Sequence, residues 1–247
     1  FLYFIEHCLR KSSMKIIFDI DNTLYSFEQT GFDDYMRERI IEYMVSNLDL
    51  SKDEATKLAG HYYGKYGLAA HGLHRYHGVD LQTYCRFVNS CDYSRLHRDE
   101  ALLSTLGHLR DEGHELWIMT NADMPHAEDV LKGLEARSFF AEGDGELRGF
   151  DCFMQWDRSE PKMQNKPMRG AYEALSRMMD PSQPHGDIVM VDDAWANLEE
   201  PQRLGWKTVW VSHGREWPAA ATFKPDVIVR TVHEMPSVPL FAGVLKQ

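Results

Sequence analysis

An apolar run that ends in two carboxylates stands near the beginning of this chain: Ile16-Ile17-Phe18-Asp19-Ile20-Asp21-Asn22-Thr23-Leu24-Tyr25. Residues 15–20 are typical of a buried parallel strand. The aspartates then lie at its carboxyl end, where open α/β sheets bind ligands. Residues two apart on a strand point the same way, so Asp19 and Asp21 can share one site. Because like charges repel, the pair predicts a metal ion, a shared proton, or both.

The composition narrows the class of protein. The chain has 247 residues, 43% of them hydrophobic, which is ordinary for a globular protein. Its net charge of −11 disfavours a nucleic acid polymer or an anionic membrane as the main partner. No apolar run approaches the length that spans a bilayer. An anionic substrate would therefore need a locally positive pocket.

The cysteines and the first residues give two further expectations. Cys8, Cys85, Cys91 and Cys152 are scattered without a Cys-x-x-Cys pair, which indicates free thiols in a reducing compartment, the cytoplasm. Residues 1–13 precede the first strand and are interpreted as an N-terminal extension with no role in the site.

The region after the first strand has a helical pattern. Apolar residues at helical spacing predict one helix over residues 27–48. Ser51-Lys52-Asp53-Glu54 is a capping box that opens a second helix, which extends to about Tyr66. A third helix is predicted over residues 81–88. No strand is indicated between Tyr25 and about Leu96, so this part resembles an all-helical insert.

Strands and helices alternate in the rest of the chain. Helices are predicted over residues 99–111, 125–135, 167–179 and 194–204, and strands over 116–119, 150–155, 188–191, 208–211 and 226–229. Residues 141–149 and 157–165 are predicted loops. The alternation predicts an α/β fold with a parallel sheet covered by helices on both faces.

Polar residues follow several of the predicted strands. Thr120 and Asn121 follow one strand, Asp192-Asp193 ends another, and Lys166 stands just before a predicted helix. Carboxylates, a hydroxyl, an ammonium group and helix amino termini suit a hard divalent cation together with a phosphoryl group. Mg²⁺ prefers such oxygen ligands.

These four clusters resemble the four motifs of the haloacid dehalogenase-like superfamily of phosphohydrolases, in the right order over residues 16–197. The resemblance implies a Rossmann-like catalytic core, residues 14–25 and 96–247, and a helical cap, residues 26–95. The segment Tyr66-Gly67-Leu68-Ala69-Ala70-His71-Gly72-Leu73 and the Asp-Asn-Thr-Leu-Tyr sequence are most similar to the pyrimidine 5′-nucleotidase group.

The resemblance also implies a role for each motif residue. Asp19 would be the nucleophile that forms an aspartyl-phosphate, and Asp21 would be the general acid and base. A Mg²⁺ ion would be held by Asp19, by the backbone carbonyl of Asp21, and by Asp193 with Asp192 beside it. The remaining residues would bind phosphate or orient the groups around the metal: Thr120, Asn121 and Lys166 for phosphate, and Asn197 for orientation.

The cap offers candidates for substrate contact, namely Tyr66, His71 and His74. His71, His74 and His77 recur at intervals of three, and either a zinc site or histidines that face solvent or substrate would account for them. Tyr62, Tyr63, Tyr66 and Tyr76 are either packing residues or, in part, a platform for stacking a base.

The implied activity is that of a phosphoric monoester hydrolase acting on a small phosphomonoester. Nucleoside 5′-monophosphates, with UMP and CMP first, are the expected substrates, and a sugar phosphate or another small metabolite is the alternative. Two further classes are a dehalogenase and a catalytically silent binding or regulatory domain. The sequence also allows a homo-oligomer.

Overall fold

A six-stranded sheet forms the centre of the molecule, in a computed structural model that describes residues 13–142, 145–153, 163–179 and 187–241. The strands in chain order are β1 Lys15–Phe18, β2 Glu115–Thr120, β3 Ala141–Glu142, β4 Glu146–Leu147, β5 Gly149–Asp151, β6 Ile188–Asp192, β7 Lys207–Val211 and β8 Val227–Val229. The sheet has the order β5-β2-β1-β6-β7-β8, and all its neighbouring strands are parallel. The short strands β3 and β4 pair separately as an antiparallel hairpin.

Helices connect these strands. The α-helices are α1 Phe27–Thr30, α2 Phe32–Leu48, α3 Lys52–Tyr66, α4 Ala69–His77, α5 Leu81–Val88, α6 Glu100–Asp111, α7 Met124–Gly133, α8 Arg137–Phe140, α9 Arg169–Met178 and α10 Glu199–Arg203. Short 3₁₀ helices cover Tyr93–Arg95, Trp195–Leu198 and Val232–Ser237.

Strand β1 lies between β2 and β6, in register with both. Phe18 pairs with Ile118 on one side and with Val191 on the other. The chain leaves β1 towards β2 and β5, then returns to β6 and continues to β7 and β8. In such a sheet the crevice for a ligand lies where the direction of the connections reverses, here at the carboxyl ends of β1 and β6.

Apolar clusters cover both faces of the sheet. One cluster joins Phe18 to residues of α6 and α7, including Leu106 and Val130. The other joins Ile17 and Trp210 to α9 through side chains such as Tyr172. These clusters and the parallel sheet confirm the predicted α/β class with helices on both faces.

The helices between residues 27 and 88 have an apolar cluster of their own. It includes Tyr43, Met44 and Tyr84, and it also contacts Phe153 and Met163 from beyond the insert. The capping box is present, since the Ser51 side chain accepts from Glu54 N–H and the Glu54 side chain accepts from Ser51 N–H. No strand lies between Tyr25 and Leu96, as predicted. The division into a core and a cap at residues 26 and 95 stays a prediction.

Two predictions for this helical region were wrong. The helix predicted over residues 27–48 is broken at Gly31, which has φ of +65°, a left-handed conformation that ends α1 and precedes α2. Helix α4 was not predicted, because histidine and glycine interrupt its apolar pattern. Leu73 and both alanines of α4 are nevertheless buried, so tertiary packing decides this helix.

Three elements outside the insert also differ from the prediction. The predicted loop 141–149 contains the β3–β4 hairpin and the start of β5. Pro167 precedes α9 instead of standing in it, because a turn closed by Met168 N–H and the Asn165 carbonyl (2.7 Å) comes first. The helix predicted over 194–204 is a 3₁₀ turn followed by the short α10.

Other predictions lie wholly or partly outside the described residues: the extension apart from residue 13, the end of the strand 150–155, and most of the loop 157–165. The described cysteines, Cys85, Cys91 and Cys152, are free thiols. None of the helices in the described ranges combines the length and the apolar character that a membrane span requires.

Candidate active site

Three carboxylates meet at the carboxyl ends of β1 and β6. Asp19 follows β1, Asp192 ends β6 and Asp193 follows it, and one oxygen of each lies within 4.8 Å of the others. Because the strands are adjacent and parallel, Asp19 and Asp192, which are 173 positions apart in the chain, reach one crevice. Asp19 N–H also donates to the Val191 carbonyl (2.9 Å), which extends the pairing by one residue and fixes the position of Asp19.

Lys166 lies between two of these carboxylates. Its Nζ donates to Asp19 Oδ1 at 2.7 Å and to Asp192 Oδ2 at 2.8 Å, and the side chain is 1% exposed. Burial opposes the charged form of Lys166, but the two carboxylates outweigh burial and raise its pKa. The site therefore contains a fixed ammonium group beside an excess of negative charge.

Two carboxyl groups of the cluster, those of Asp19 and Asp193, have raised pKa values. Burial, offset in part by Lys166 and reinforced by the neighbouring aspartates, raises the pKa of Asp19 to about 8. Burial and then Asp192 raise the pKa of Asp193 to about 7. A site in which carboxylates resist ionisation is one that a cation would stabilise.

Asp192 and Asp193 have different partners. Asp192 is fully buried, and Asn197 Nδ2 donates to both of its oxygens at 3.0 Å. Asp193 Oδ2 instead accepts from Asn22 Nδ2 at 2.6 Å and from Arg215 at 3.3 Å. Asp192 is thus fixed by Lys166 and Asn197, whereas Asp193 is held by groups nearer the surface.

Thr120 and Asn121, at the end of β2, lie beside this cluster in the fold. Thr120 is 1% exposed and its hydroxyl accepts from Ala122 N–H at 2.9 Å. The Asn121 side chain accepts from Lys166 N–H at 2.9 Å and donates to the Lys166 carbonyl at 3.0 Å. Asn121 therefore holds the backbone of Lys166 on both sides, which positions the buried ammonium group.

Asp21 does not belong to the three-carboxylate group among the described residues. Its carboxylate contacts His126 Nε2 at 2.9 and 3.1 Å and accepts from the Tyr25 hydroxyl at 2.7 Å. Burial opposes ionisation of Asp21, but His126 and Tyr25 outweigh it and lower the pKa. The two aspartates of the first motif therefore have separate surroundings.

Sequence analysis missed several residues of this site. His126, Asn22 and Arg215 contact the aspartates. Of these, only Asn22 stands in a motif that the sequence analysis quoted, and no role was assigned to it there. His126 is a single histidine two residues after the start of α7, and Arg215 follows β7 at a distance from the motifs. No local pattern marks His126, which lies inside α7, or Arg215, because their contacts with the aspartates form only in the folded chain.

The cap candidates Tyr66 and His71 are buried and pack on one another, with ring centroids 4.4 Å apart and 4° between the ring planes. His71 Nδ1 contacts Asn165 Oδ1 at 2.7 Å, and Asn165 Nδ2 donates to the Tyr66 carbonyl at 2.8 Å. Burial lowers the pKa of His71. These contacts join the cap to the residue before Lys166.

The three histidines of the cap do not converge. His71 contacts Asn165, His74 Nδ1 contacts the Val79 carbonyl at 3.0 Å, and His77 contacts the Tyr62 hydroxyl at 2.9 Å. The acidic cluster at Asp19 is the group of metal-ligating side chains found among the described residues. The structure therefore does not support the zinc interpretation.

Comparison with known proteins agrees with this geometry. The family model of the haloacid dehalogenase-like hydrolases matches residues 15–205, and the chain belongs to that family. It is a hydrolase of this class, and its parallel sheet with flanking helices is the fold of the family.

Three relatives illustrate the match. Phosphate metabolism protein 8 of Saccharomyces cerevisiae is 31% identical over 132 residues, which are 50% of this chain and 40% of that protein. A HAD phosphatase from Thermococcus onnurineus has a similar structure, with a TM-score of 0.57 and 20% identity over 93% of this chain and 98% of the other. CbbY from Rhodobacter sphaeroides, in complex with phosphate, gives a TM-score of 0.60 and 15% identity over 91% and 96%.

The donor set fits a hard divalent cation. All three grouped side chains offer carboxylate oxygens, and two of them have raised pKa values in the absence of a cation. Oxygen-only sites of this kind suit Mg²⁺ and do not favour softer metals, which prefer nitrogen or sulfur. The acidic cluster can therefore hold a metal ion.

Proposed function

We propose that this protein is a magnesium-dependent phosphomonoesterase that acts through an aspartyl-phosphate, with a nucleoside 5′-monophosphate as substrate. The observation that carries the proposal is Lys166, a fully enclosed ammonium group that bridges Asp19 and Asp192 beside a third carboxylate. A nucleophilic carboxylate needs such a neighbour, since it must approach an anionic phosphate.

Asp19 is the proposed nucleophile. Its Oδ1 contacts Lys166, and its Oδ2 accepts from the Thr23 hydroxyl at 2.8 Å, so both oxygens have fixed directions. One oxygen forms a bond to phosphorus while the bond to the leaving oxygen breaks. Lys166 and Thr120 are proposed to hold the phosphate oxygens as charge shifts in the transition state.

Asp19 and Asp193, with Asp192 beside them and the backbone carbonyl of Asp21, are proposed to hold Mg²⁺, whose charge would offset that of the phosphate. Asn197 holds Asp192 and thereby orients the acidic group. In the neighbouring structure of YfnB from Bacillus subtilis, a protein 16% identical to this chain, magnesium is bound, which supports the same choice of ion here.

Asp21 is the proposed general acid and base. Asp21 stands two residues after Asp19 and lies outside the three-carboxylate group. Its carboxyl group is proposed to face the leaving oxygen. It protonates the leaving alkoxide and then takes a proton from the water that hydrolyses the aspartyl-phosphate.

The substrate class rests on resemblance and on one surface feature. The segment 66–73 is similar to that of pyrimidine 5′-nucleotidases, which favours UMP and CMP. Tyr63, in the last turn of α3, is 63% exposed, and Gly67, four residues on, contacts the Lys166 carbonyl region. An exposed aromatic side chain in the helix that ends beside the Lys166 backbone suits the stacking of a base.

The proposal also includes a helical cap and a cytoplasmic location. Residues 26–95 would close over the leaving group, and the free cysteines fit a reducing compartment. A sugar phosphate remains the alternative substrate of the same chemistry.

The test is a phosphate-release screen with added Mg²⁺ on nucleoside monophosphates, sugar phosphates and p-nitrophenyl phosphate. Asp19→Asn keeps the volume of the side chain but removes the nucleophile, so we expect turnover to fall by at least ~10³-fold while the circular dichroism spectrum is unchanged. Retained activity in the purified variant would overturn the mechanism. Chloride release from haloacids without Mg²⁺ would favour the dehalogenase, and no release from any ester would favour a silent domain.

A further inference from the structure

The proposed general acid is held on one side by a histidine that no motif contains. Both oxygens of Asp21 lie within hydrogen-bond distance of His126 Nε2, at 2.9 and 3.1 Å, and Tyr25 donates to the first of them. A carboxylate with one free rotation about Cβ–Cγ is fixed by such a set of contacts. The orientation of Asp21 therefore depends on His126.

His126 cannot readily change its own position. Its side chain is fully buried, and its ring lies 6.2 Å from that of Phe32 and 5.7 Å from that of Tyr93. Its backbone N–H donates to Asp123 Oδ1 at 3.1 Å, the cap of α7. Packing thus fixes the ring of His126, and the start of α7 fixes its backbone.

The second ring nitrogen is also engaged. His126 Nδ1 lies 2.9 Å from the Tyr93 hydroxyl, which donates its hydrogen to the Asn89 carbonyl at 3.0 Å. A hydroxyl has one hydrogen, so the Tyr93 oxygen accepts from Nδ1–H. This assigns a hydrogen to Nδ1, so Nε2 donates to the ionised Asp21 carboxylate when the ring is the doubly protonated imidazolium. Burial opposes that form, but Asp21 outweighs burial and raises the pKa of His126.

A buried histidine with two satisfied nitrogens could serve stability alone. Two features favour a role in catalysis. Its contact reaches the side chain of Asp21, which is 20% exposed and stands two residues after Asp19, and not a fully buried core residue. The contact also spans 105 residues and joins α7 to the loop after β1, so it acts where the proposed acid must be aimed.

We propose that His126, supported by Tyr93, is a positioning residue that orients the carboxyl group of Asp21 towards the leaving oxygen of the substrate. This rests on the proposed function, because that assigns Asp21 as the acid. General acid catalysis depends on placing the acid within hydrogen-bond reach of the oxygen that it protonates. Loss of the orientation should therefore slow only reactions that need the proton.

The experiment compares two esters with different leaving groups in the full chain with Mg²⁺. p-Nitrophenolate leaves without protonation, whereas the alkoxide of UMP or of a simple alkyl phosphate needs a proton. His126→Leu should lower kcat/KM for the alkyl ester by roughly 10²-fold and that for p-nitrophenyl phosphate by less than about threefold. Asp21→Asn should show the same pattern, and the double variant should lose little more than either single variant.

His126→Gln is the matched variant, because its amide can replace the Nε2 contact to Asp21. We expect it to recover most of the alkyl-ester activity. Tyr93→Phe removes the support of Nδ1 and the hydrogen bond to the Asn89 carbonyl but leaves the contact of His126 with Asp21. It should give a smaller loss with the same selectivity, so it carries the test if the leucine variant does not fold.

Equal losses for the two esters in folded variants, or no recovery with glutamine, would overturn the positioning role. Such a result leaves the proposed function intact if the wild type still releases phosphate and Asp19→Asn does not. Failure of the wild type to hydrolyse either ester would overturn the proposed function, and this inference with it.

Discussion

At the scale of single residues, two aspartates one position apart have opposite electrostatic surroundings. Burial and neighbouring carboxylates raise the pKa of Asp19 to about 8, whereas His126 and Tyr25 overcome burial and lower that of Asp21. Pairs of titratable groups whose environments push their pKa values apart are typical of sites that divide two chemical roles. The two shifts run opposite to the proposed roles, because a nucleophile must be ionised and an acid must be protonated. The proposed Mg²⁺ beside Asp19 would lower the pKa of Asp19, and a bound phosphate would raise that of Asp21.

Asp21→Asn is expected to slow hydrolysis of esters with poor leaving groups by about 10²–10⁴-fold, because the variant cannot donate the proton. The kcat/KM for p-nitrophenyl phosphate, which reports transfer of the phosphoryl group to Asp19, should change much less. Values of kcat/KM on UMP and on the nitrophenyl ester, measured at equal Mg²⁺ concentration, check the expectation, since loss of the base role in the second step can lower kcat for both. Equal slowing of the two would argue against the acid role.

Sequence analysis could predict the part of the site that lies at the carboxyl ends of the predicted strands. Asp19, Thr120 and Asp192 each end or follow a buried strand, and parallel strands bring their carboxyl ends together. His126 and Asn165 could not be found in this way. Their roles depend on contacts with residues that are about a hundred positions away in the chain. A local sequence pattern does not show which distant residues come into contact.

At the scale of elements, the helical insert meets the rest of the fold at a glycine. Gly67 ends α3 with φ of +74°, and a Cβ there would lie 2.8 Å from the Lys166 carbonyl oxygen and 3.0 Å from Pro167 Cδ. Only a residue without a side chain allows this approach. The connection between α3 and α4 therefore packs directly on the backbone of Lys166, the proposed phosphate-binding lysine.

Gly67→Ala is expected to lower the free energy of unfolding by about 1–3 kcal/mol, because it combines backbone strain with a clash. Gly64→Ala, one turn earlier in α3, is the control. That position is exposed and a Cβ meets nothing within 4 Å, so alanine should raise stability by roughly 0.5–1 kcal/mol. Denaturant unfolding of both variants measures the difference, and changes of the same sign would contradict the docking described.

The edge of the sheet supplies a prediction about pH. Burial opposes ionisation of Asp226, but Lys207 and Thr208 of β7 outweigh it and lower the pKa below 3.8. Its ionised form therefore stabilises the fold fully above the unfolded value, and this contribution disappears as pH falls through the folded pKa.

Asp226→Asn should lower the free energy of unfolding by about 0.5–1 kcal/mol at pH 7, because solvent screens the pair that this partly exposed carboxylate forms with Lys207. The difference from the wild type should shrink as the pH is lowered below 4. Glu216→Gln removes an exposed carboxylate and serves as the control, with little change expected. A gap between wild type and Asp226→Asn that stays constant to pH 2 would show that the carboxylate does not contribute as argued.

Elements were predictable where packing and local pattern agree. Strands β1, β2 and β6 are short apolar runs and the capping box marks the start of α3. Gly31 breaks a helix that its flanking apolar residues favour, and α4 forms because Leu73 and its neighbours are buried among other helices. In both cases tertiary context decides what local propensity leaves open.

At the scale of the whole molecule, the order β5-β2-β1-β6-β7-β8 brings the beginning and the later third of the chain to one crevice. The connection between β1 and β2 carries the helical insert, which contacts Asn165, the residue before Lys166, through His71 and Tyr66. Catalytic groups on rigid strand ends and substrate contacts on an insert are a common division of labour in α/β enzymes. This arrangement, and not any one residue, distinguishes the proposed enzyme from a generic Rossmann-like domain.

The covalent intermediate at Asp19 is the most direct test. The wild-type protein, supplied with Mg²⁺ and a turned-over phosphomonoester, is quenched in acid, digested and analysed by mass spectrometry. We predict a hydroxylamine-sensitive phosphate on the peptide that contains Asp19, absent from Asp19→Asn. Steady turnover with no phosphorylated peptide, or with phosphate on a different residue, would contradict the assignment of Asp19 as the nucleophile.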